Sequence, residues 1–217
     1  HLEDLEISGS PGPALWSSSG GAVQGTGWHF HNNSEHGILI DSATVVVDGL
    51  DTNDNGYSGA YVYDSRYVTL TNFTSENDGS QGITALQTAG LSFKKSNDLE
   101  SSSGDVTCRT CVIRSSAGHG VYAEDSVDLW LENLTVSDID SSFNPVYIDN
   151  GGLTIGAQGG RFHILDANLN HESNTEYAVY IEQAAGRIDD VTIDGNHSGI
   201  FWDANYNGAY PSTLSNT

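Results

Sequence analysis

Methionine is missing from the 217 residues, only 2 are Cys and 4 are Pro, and Lys and Arg together number 7 against 29 Asp and Glu. Two cysteines cannot staple a disulfide mini-protein, and 4 prolines beside 25 unperiodic glycines exclude a collagen. The shortage of cations leaves a net charge of -22, which repels phosphate backbones and anionic lipid and excludes nucleic acid as a partner. Such a surface suits high salt, or the capture of divalent cations. No apolar run approaches the roughly 18 to 20 residues of a membrane-spanning helix, so no membrane insertion is expected of this segment. The chain opens at His1 without a signal-peptide core, and any targeting segment is expected to lie outside it.

What is present supports a folded domain. Hydrophobic residues make up 37% and aromatics 9%, enough for a sizeable core. Sequons at Asn32, Asn72, Asn133 and Asn196 suggest an extracellular location. Helix periodicity is almost absent. Apolar residues alternate in short runs that break at Gly, Asn, Asp or Ser, which is the pattern of strands.

The runs repeat. His36-Gly37-Ile38-Leu39-Ile40-Asp41-Ser42, Ala60-Tyr61-Val62-Tyr63-Asp64-Ser65 and Val121-Tyr122-Ala123-Glu124-Asp125-Ser126 can be stacked, and each is followed by a second apolar block at Val47, Leu70 and Leu131. Block starts fall at Gly37, Gly59, Gly82, Gly120, Pro145, Ala178 and Gly199. A period of about 21 to 25 residues, with longer intervals before Gly120 and Ala178, predicts a solenoid. About eight coils at the ~4.8 Å strand spacing would form a rod roughly 35 to 40 Å long.

Over about residues 28 to 203 these blocks resemble the right-handed parallel β-helix superfamily, which includes pectate lyase-like and polygalacturonase-like enzymes, tailspikes and adhesins. The resemblance implies an all-β fold without substantial helix. Residues 1–27 are then expected to form a strand and a loose arm, 28–203 the β-helix, and 204–217 a C-terminal tail. It also implies an Asn ladder: Asn72 and Asn133 fall at one bend, tolerant of left-handed backbone, with Gly49, Lys95 and Thr110 at the same position in other coils. Ladder amides are expected to turn away from solvent, which leaves Asn32 and Asn196 as the glycosylation candidates.

Several motifs carry chemistry only in some readings. Cys108-Arg109-Thr110-Cys111 reads as core packing, a local disulfide, or half a metal or redox site, with its cysteines at the positions of Leu70 and Phe73 in a neighbouring coil. Asp51-Thr52-Asn53-Asp54-Asn55-Gly56 matches the first half of a calcium loop, which makes Asp51, Asn53 and Asn55 candidate ligands and calcium the one candidate cofactor, although Val62 stands where a bidentate Glu is needed. Asp41, Asp64 and Asp125 share a column in this stacking, and the carboxylates of Asp41 and Asp64, one coil apart, are a second cation candidate.

No catalytic constellation is complete. Gly118-His119-Gly120 is similar to the Gly-His-Gly of polygalacturonases, but the preceding coils offer Gln87 and the Cys block where paired Asp residues belong, and Asp189-Asp190 lies far downstream. His29 and His31 alternate onto one strand face, near His36, without a carboxylate or thiolate at fixed spacing. Trp28, Tyr61, Tyr63, Trp130, Tyr147, Tyr180 and Trp202 are available to stack on neutral sugars, or to fill the core. Two roles are therefore expected. The first is a non-catalytic extracellular structural or surface protein that self-associates head to tail or by arm exchange through Leu2, Leu5 and Ile7, or Tyr206 and Tyr210. The alternative is a β-helix that binds or cleaves carbohydrate.

Overall fold

The computed structural model describes residues 1–63, 65, 67–86, 106–124, 129–140, 142–149, 161–170, 176–182, 184–195, 198–203 and 213–215. They build a parallel β-solenoid of two sheets. The ten-stranded sheet, called sheet A here, contains β1 (Leu2–Glu3), β2 (Glu6–Ser8), β4 (Ala22–His31), β6 (Thr44–Asn53), β8 (Val68–Glu76), β10 (Val106–Arg114), β12 (Leu129–Ser137), β14 (Arg161–Asn170), β16 (Ala185–Asp194) and β18 (Thr213–Ser215). The eight-stranded sheet B contains β3 (Leu15–Ser17), β5 (Ile38–Asp41), β7 (Ala60–Tyr63), β9 (Ile83–Leu86), β11 (Val121–Glu124), β13 (Val146–Asp149), β15 (Tyr177–Glu182) and β17 (Ser198–Asp203). The chain alternates between the sheets, one strand of each per coil, so the eight strands of sheet B count the coils expected from the repeat.

Alternation within each strand sends every second side chain inward. Ile38 and Ile40, Ala60 and Val62, and Val121 and Ala123 are buried on β5, β7 and β11 of sheet B. Val45, Val68, Val106 and Leu129 form one buried column of sheet A. Stacked coils thus share one continuous core rather than each closing its own, which is why a repeat this short folds only as an array.

The long strands of sheet A bend where a residue takes the left-handed conformation. Asp4, Gly27, Gly49, Asn72, Thr110, Asn133, Asp166 and Asp190 occupy this column, with φ from 49° to 75°. Gly, Asn and Asp accept that backbone most readily, so their recurrence sets the corner. Thr110 is the β-branched exception. It is bracketed by the disulfide between Cys108 and Cys111, whose Cα atoms are 6.1 Å apart and whose side chains are buried, so the pair is both crosslink and core. Thr110→Asn is expected to raise stability by about 1 kcal/mol, and by more once the crosslink is reduced, in denaturant titrations with and without dithiothreitol.

A second left-handed column, Gly9, Asn32, Asp54, Asn77, Ser115, Asp138 and Gly195, ends these strands. The residues that follow Asn32, Asp54, Asn77, Ser115 and Asp138 are buried, and there the structure holds the amide ladder. The Ser10 N–H donates to Asn33 Oδ1 at 3.0 Å, Asn33 Nδ2 to Asn55 Oδ1 at 2.8 Å, and Asn55 Nδ2 to Asp78 Oδ1 at 2.9 Å. Asn72 and Asn133 do not stack inward as expected. They hold the first bend, but their side chains are exposed, and Asn72 Nδ2 donates to Asp48 Oδ1 at 2.7 Å. β8 and β10 pair directly, and Lys95 lies outside the described residues.

The ends also differ from expectation. Residues 1–27 are a coil, not a loose arm: β1 and β2 are the two halves of a bent strand paired with β4, and β3 pairs with β5. At the other end β18 extends sheet A beyond residue 203 by pairing with β16.

Candidate functional site

The outward face of sheet B concentrates the aromatic side chains. Because Ile38 and Ile40 point inward, Leu39 and Asp41 point out, and strand register carries that choice through every coil. Trp16, Leu39, Tyr61, Thr84, Tyr122, Tyr147, Tyr180 and Phe201 are successive register partners in one column. Tyr122 and Tyr147 stack at 5.2 Å and 7°, Tyr147 and Tyr180 at 5.0 Å and 3°, and Tyr180 and Phe201 at 4.8 Å and 12°. These separations follow the strand spacing of about 4.7–4.9 Å, so each ring stands directly over its neighbour. At the other end Trp16 is 65% exposed and Tyr63 38%.

A polar column runs along one side of the rings. His36, Ser58, Gln81, His119 and Asn144 each precede the first residue of a sheet B coil, and their carbonyls accept N–H groups from the neighbouring coil. His36 lies 4.6 Å from Tyr61 and 5.4 Å from Tyr57. His119 lies 4.8 Å from Tyr147 and 5.5 Å from Tyr122, with Phe143 edge-on at 5.0 Å. Burial lowers both imidazoles from the ordinary 6.5 to about 4.

Along the other side Asp41, Tyr63, Glu182 and Asp203 point outward, in one register column that passes through Leu86, Glu124 and Asp149. Tyr180 Oη donates to Glu182 Oε2 at 2.8 Å, fastening the ring column to this acidic edge. Burial, then the nearby charges of Tyr63 and Asp41, raise the Tyr61 hydroxyl above its ordinary value.

The structure divides the sequence candidates. Asp41 pairs with Tyr63, not with Asp64, because the corner from Asp41 to Val45 is one residue shorter than that from Tyr63 to Val68. Asp64, Gln87 and Asp125 lie outside the described residues, as do Asn196, Tyr206 and Tyr210. Asp51 and Asn53 belong to the extended strand β6 rather than to a loop, and Asn55 is 2% exposed with its amide in the internal ladder. The half-motif for calcium is therefore a strand end and a ladder rung. Among the described residues no group of three His, Cys, Asp or Glu converges on a metal position. His29 does meet a carboxylate, Asp51, at 3.4 Å, and His31 meets Glu6 at 3.1 Å, as separate exposed pairs. Asn32 is exposed.

The aromatics divide as well. Trp28 is fully buried, Trp130 donates to Glu132 at 3.1 Å on sheet A, and Trp202 donates to the Ala184 carbonyl at 3.1 Å. Tyr61, Tyr63, Tyr147 and Tyr180 reach the face of sheet B. Trp16, Tyr122 and Phe201 complete it, and sequence reasoning passed over them. The available signal was the third residue of each block: Gly120-Val121-Tyr122, Pro145-Val146-Tyr147, Ala178-Val179-Tyr180 and Gly199-Ile200-Phe201 place an aromatic at one offset.

A family described as right handed beta helix region matches residues 1–98. Together with the stacked parallel coils, this match over the first 98 of 217 residues supports the likeness to the right-handed parallel β-helix superfamily. No curated protein and no solved structure matches the chain.

Proposed function

We propose that this protein is a non-catalytic, extracellular carbohydrate-binding β-helix that lays an extended neutral glycan along the outward face of sheet B. The observation that carries the reading is the ring column Tyr122, Tyr147, Tyr180 and Phe201, repeating at the coil spacing. Because the rings stack on one another, they turn their edges outward as a ridged apolar strip at the coil spacing, and a linear polymer laid across those edges is the ligand class it accommodates, with polar groups on both sides to meet hydroxyls. The net charge of -22 and the acidic edge favour a neutral polymer over a uronate. The disulfide supports an oxidising compartment, in which Asn32 is the glycosylation candidate. Hydrolysis would require two carboxyls facing each other across the scissile bond, whereas Asp41, Glu182 and Asp203 lie along one side of the rings and His36, Ser58, Gln81, His119 and Asn144 along the other. The Asp78 carboxyl, which burial raises, is sealed inside the coil at 1% exposure, away from this face.

The test is calorimetric titration with cellohexaose, xylohexaose, mannohexaose and polygalacturonate. Binding of a neutral oligosaccharide is expected, without release of reducing ends. Tyr147→Ala should weaken it about 3- to 10-fold, the worth of one aromatic contact of about 1 kcal/mol. Absence of binding across the panel refutes the reading.

Self-association is the second reading, and one observation favours it. Leu2, Leu5, Ile7 and Leu15 begin core columns, yet Leu2 is 44% exposed and the others are only partly covered. Leu5 and Ile7 pack on their own core, so the mechanism is coil-on-coil stacking at this end rather than arm exchange. A monomeric mass by light scattering at high concentration, with and without calcium, would refute it.

A further inference from the structure

The hydrogen bonds on sheet B determine the protonation of two imidazoles. The Ser58 N–H donates to His36 Nδ1 at 3.2 Å, and the Asn144 N–H donates to His119 Nδ1 at 3.0 Å. An amide N–H can only donate, so each Nδ1 must present its lone pair. A neutral imidazole then carries its one proton on Nε2. Among the described residues neither Nε2 has a hydrogen-bond partner, and both rings sit half-buried against the aromatic column. Two oriented, unused donors therefore border the strip of rings.

We infer that His36 and His119 are the specificity-determining donors of this face, each giving its Nε2–H to a hydroxyl or ring oxygen of a neutral sugar laid against the outward edges of the adjacent tyrosines. The assignment rests on the glycan reading above and deepens it. Both rings stay neutral over the physiological range, since burial holds them near 4. A permanent cation here would select an anionic sugar, whereas a fixed neutral donor selects an oxygen acceptor, in keeping with the acidic surroundings. The two rings are also in register with each other. From His36 through Ser58 and Gln81 to His119 the column takes three coil steps, about 14 Å at the usual strand spacing. One oligosaccharide lying along the face can engage both, and a disaccharide only one.

Imidazole nitrogen NMR of the full chain at neutral pH, with cellohexaose and cellobiose as probes, tests this alongside calorimetry. Both rings are expected to show protonated Nε2 and unprotonated Nδ1, and both Nε2–H signals should shift and exchange more slowly with cellohexaose, but only one of them with cellobiose. His119→Gln places in this column the residue type that Gln81 already supplies one coil earlier, and should retain affinity within about 3-fold, because its amide still donates. His119→Phe keeps the ring contacts and loses the donor; affinity should fall about 5- to 15-fold, the worth of one hydrogen bond. Its thermal unfolding shows whether the fold survives the unpaired Asn144 N–H, and the NMR readout on the wild-type chain stands whether or not it does. Protonation at Nδ1, or cellohexaose binding that leaves both Nε2–H signals unmoved, overturns the assignment while the glycan reading survives. Failure of the wild-type chain to bind any neutral oligosaccharide refutes both.

Discussion

Asp78→Ala is expected to lower stability by about 3–5 kcal/mol, because it leaves several buried donors without their acceptor at once. The Asn55 N–H and Nδ2 reach Asp78 Oδ1 at 3.0 and 2.9 Å, while Thr52 Oγ1 and Ser75 Oγ reach Oδ2 at 2.9 and 2.7 Å. The carboxylate terminates the amide ladder that begins at Ser10 and passes through Asn33 and Asn55, so its loss unpins more than one coil. Asp78→Asn separates the hydrogen bonds from the charge. Its carbonyl can take the Asn55 donors, and the Thr52 and Ser75 hydroxyls can rotate to accept from its amide, so a change within about 1 kcal/mol at neutral pH is expected. Burial, the largest effect on Asp78, raises its pKa despite the opposing hydrogen bonds from Ser75, Asn55 and Thr52. An acid whose folded pKa is raised contributes stability that is fully present below its unfolded pKa and lost as pH rises through the folded value. The Asn variant should lack that pH-dependent component. Urea titrations of the three chains across the acid range measure all of these effects.

The ladder also shows where the sequence was legible and where it was not. Gly37, Gly59, Gly82, Gly120, Pro145, Ala178 and Gly199 do begin or adjoin the strands of sheet B, because an apolar alternation with a recurring period has one economical solution. The left-handed bend at Asn72, Thr110 and Asn133 was equally visible. What failed was the direction of side chains at corners. Corner lengths vary by a single residue, as between β5 and β7, and one residue decides whether an Asp joins the outer column or leaves it. The amide ladder was hidden for the same reason. Asn33, Asn55 and Asp78 each follow an Asn or Asp that is itself exposed, and composition does not say which of two adjacent polar residues turns in. The tyrosine column is not legible in any single aromatic residue, because its significance lies in a shared offset from the block start.

Acidification should destabilise the folded chain mainly through His36 and His119. Each imidazole falls from the ordinary 6.5 to about 4 on folding, with burial as the main cause. Between those values the unfolded chain binds the extra protons, so stability is at its full value above about pH 6.5, declines as pH falls, and has lost the whole contribution below the folded value near 4. After allowance for solvent screening at these partly exposed edges, each ring is expected to contribute on the order of 1–2 kcal/mol. Protonation also turns Nδ1 into a donor facing the N–H of Ser58 or Asn144, which breaks the bond that orients the ring. Asp78 acts with the opposite sign, since its protonation favours the folded state and offsets part of the loss at the acid end. The double variant His36→Gln/His119→Gln should flatten the decline between pH 6.5 and 4 in thermal unfolding, with Asp78→Asn on that background leaving less pH dependence still. An unchanged slope in the double variant would assign the acid sensitivity to other groups, and would remove the evidence that these two rings are neutral on the folded chain.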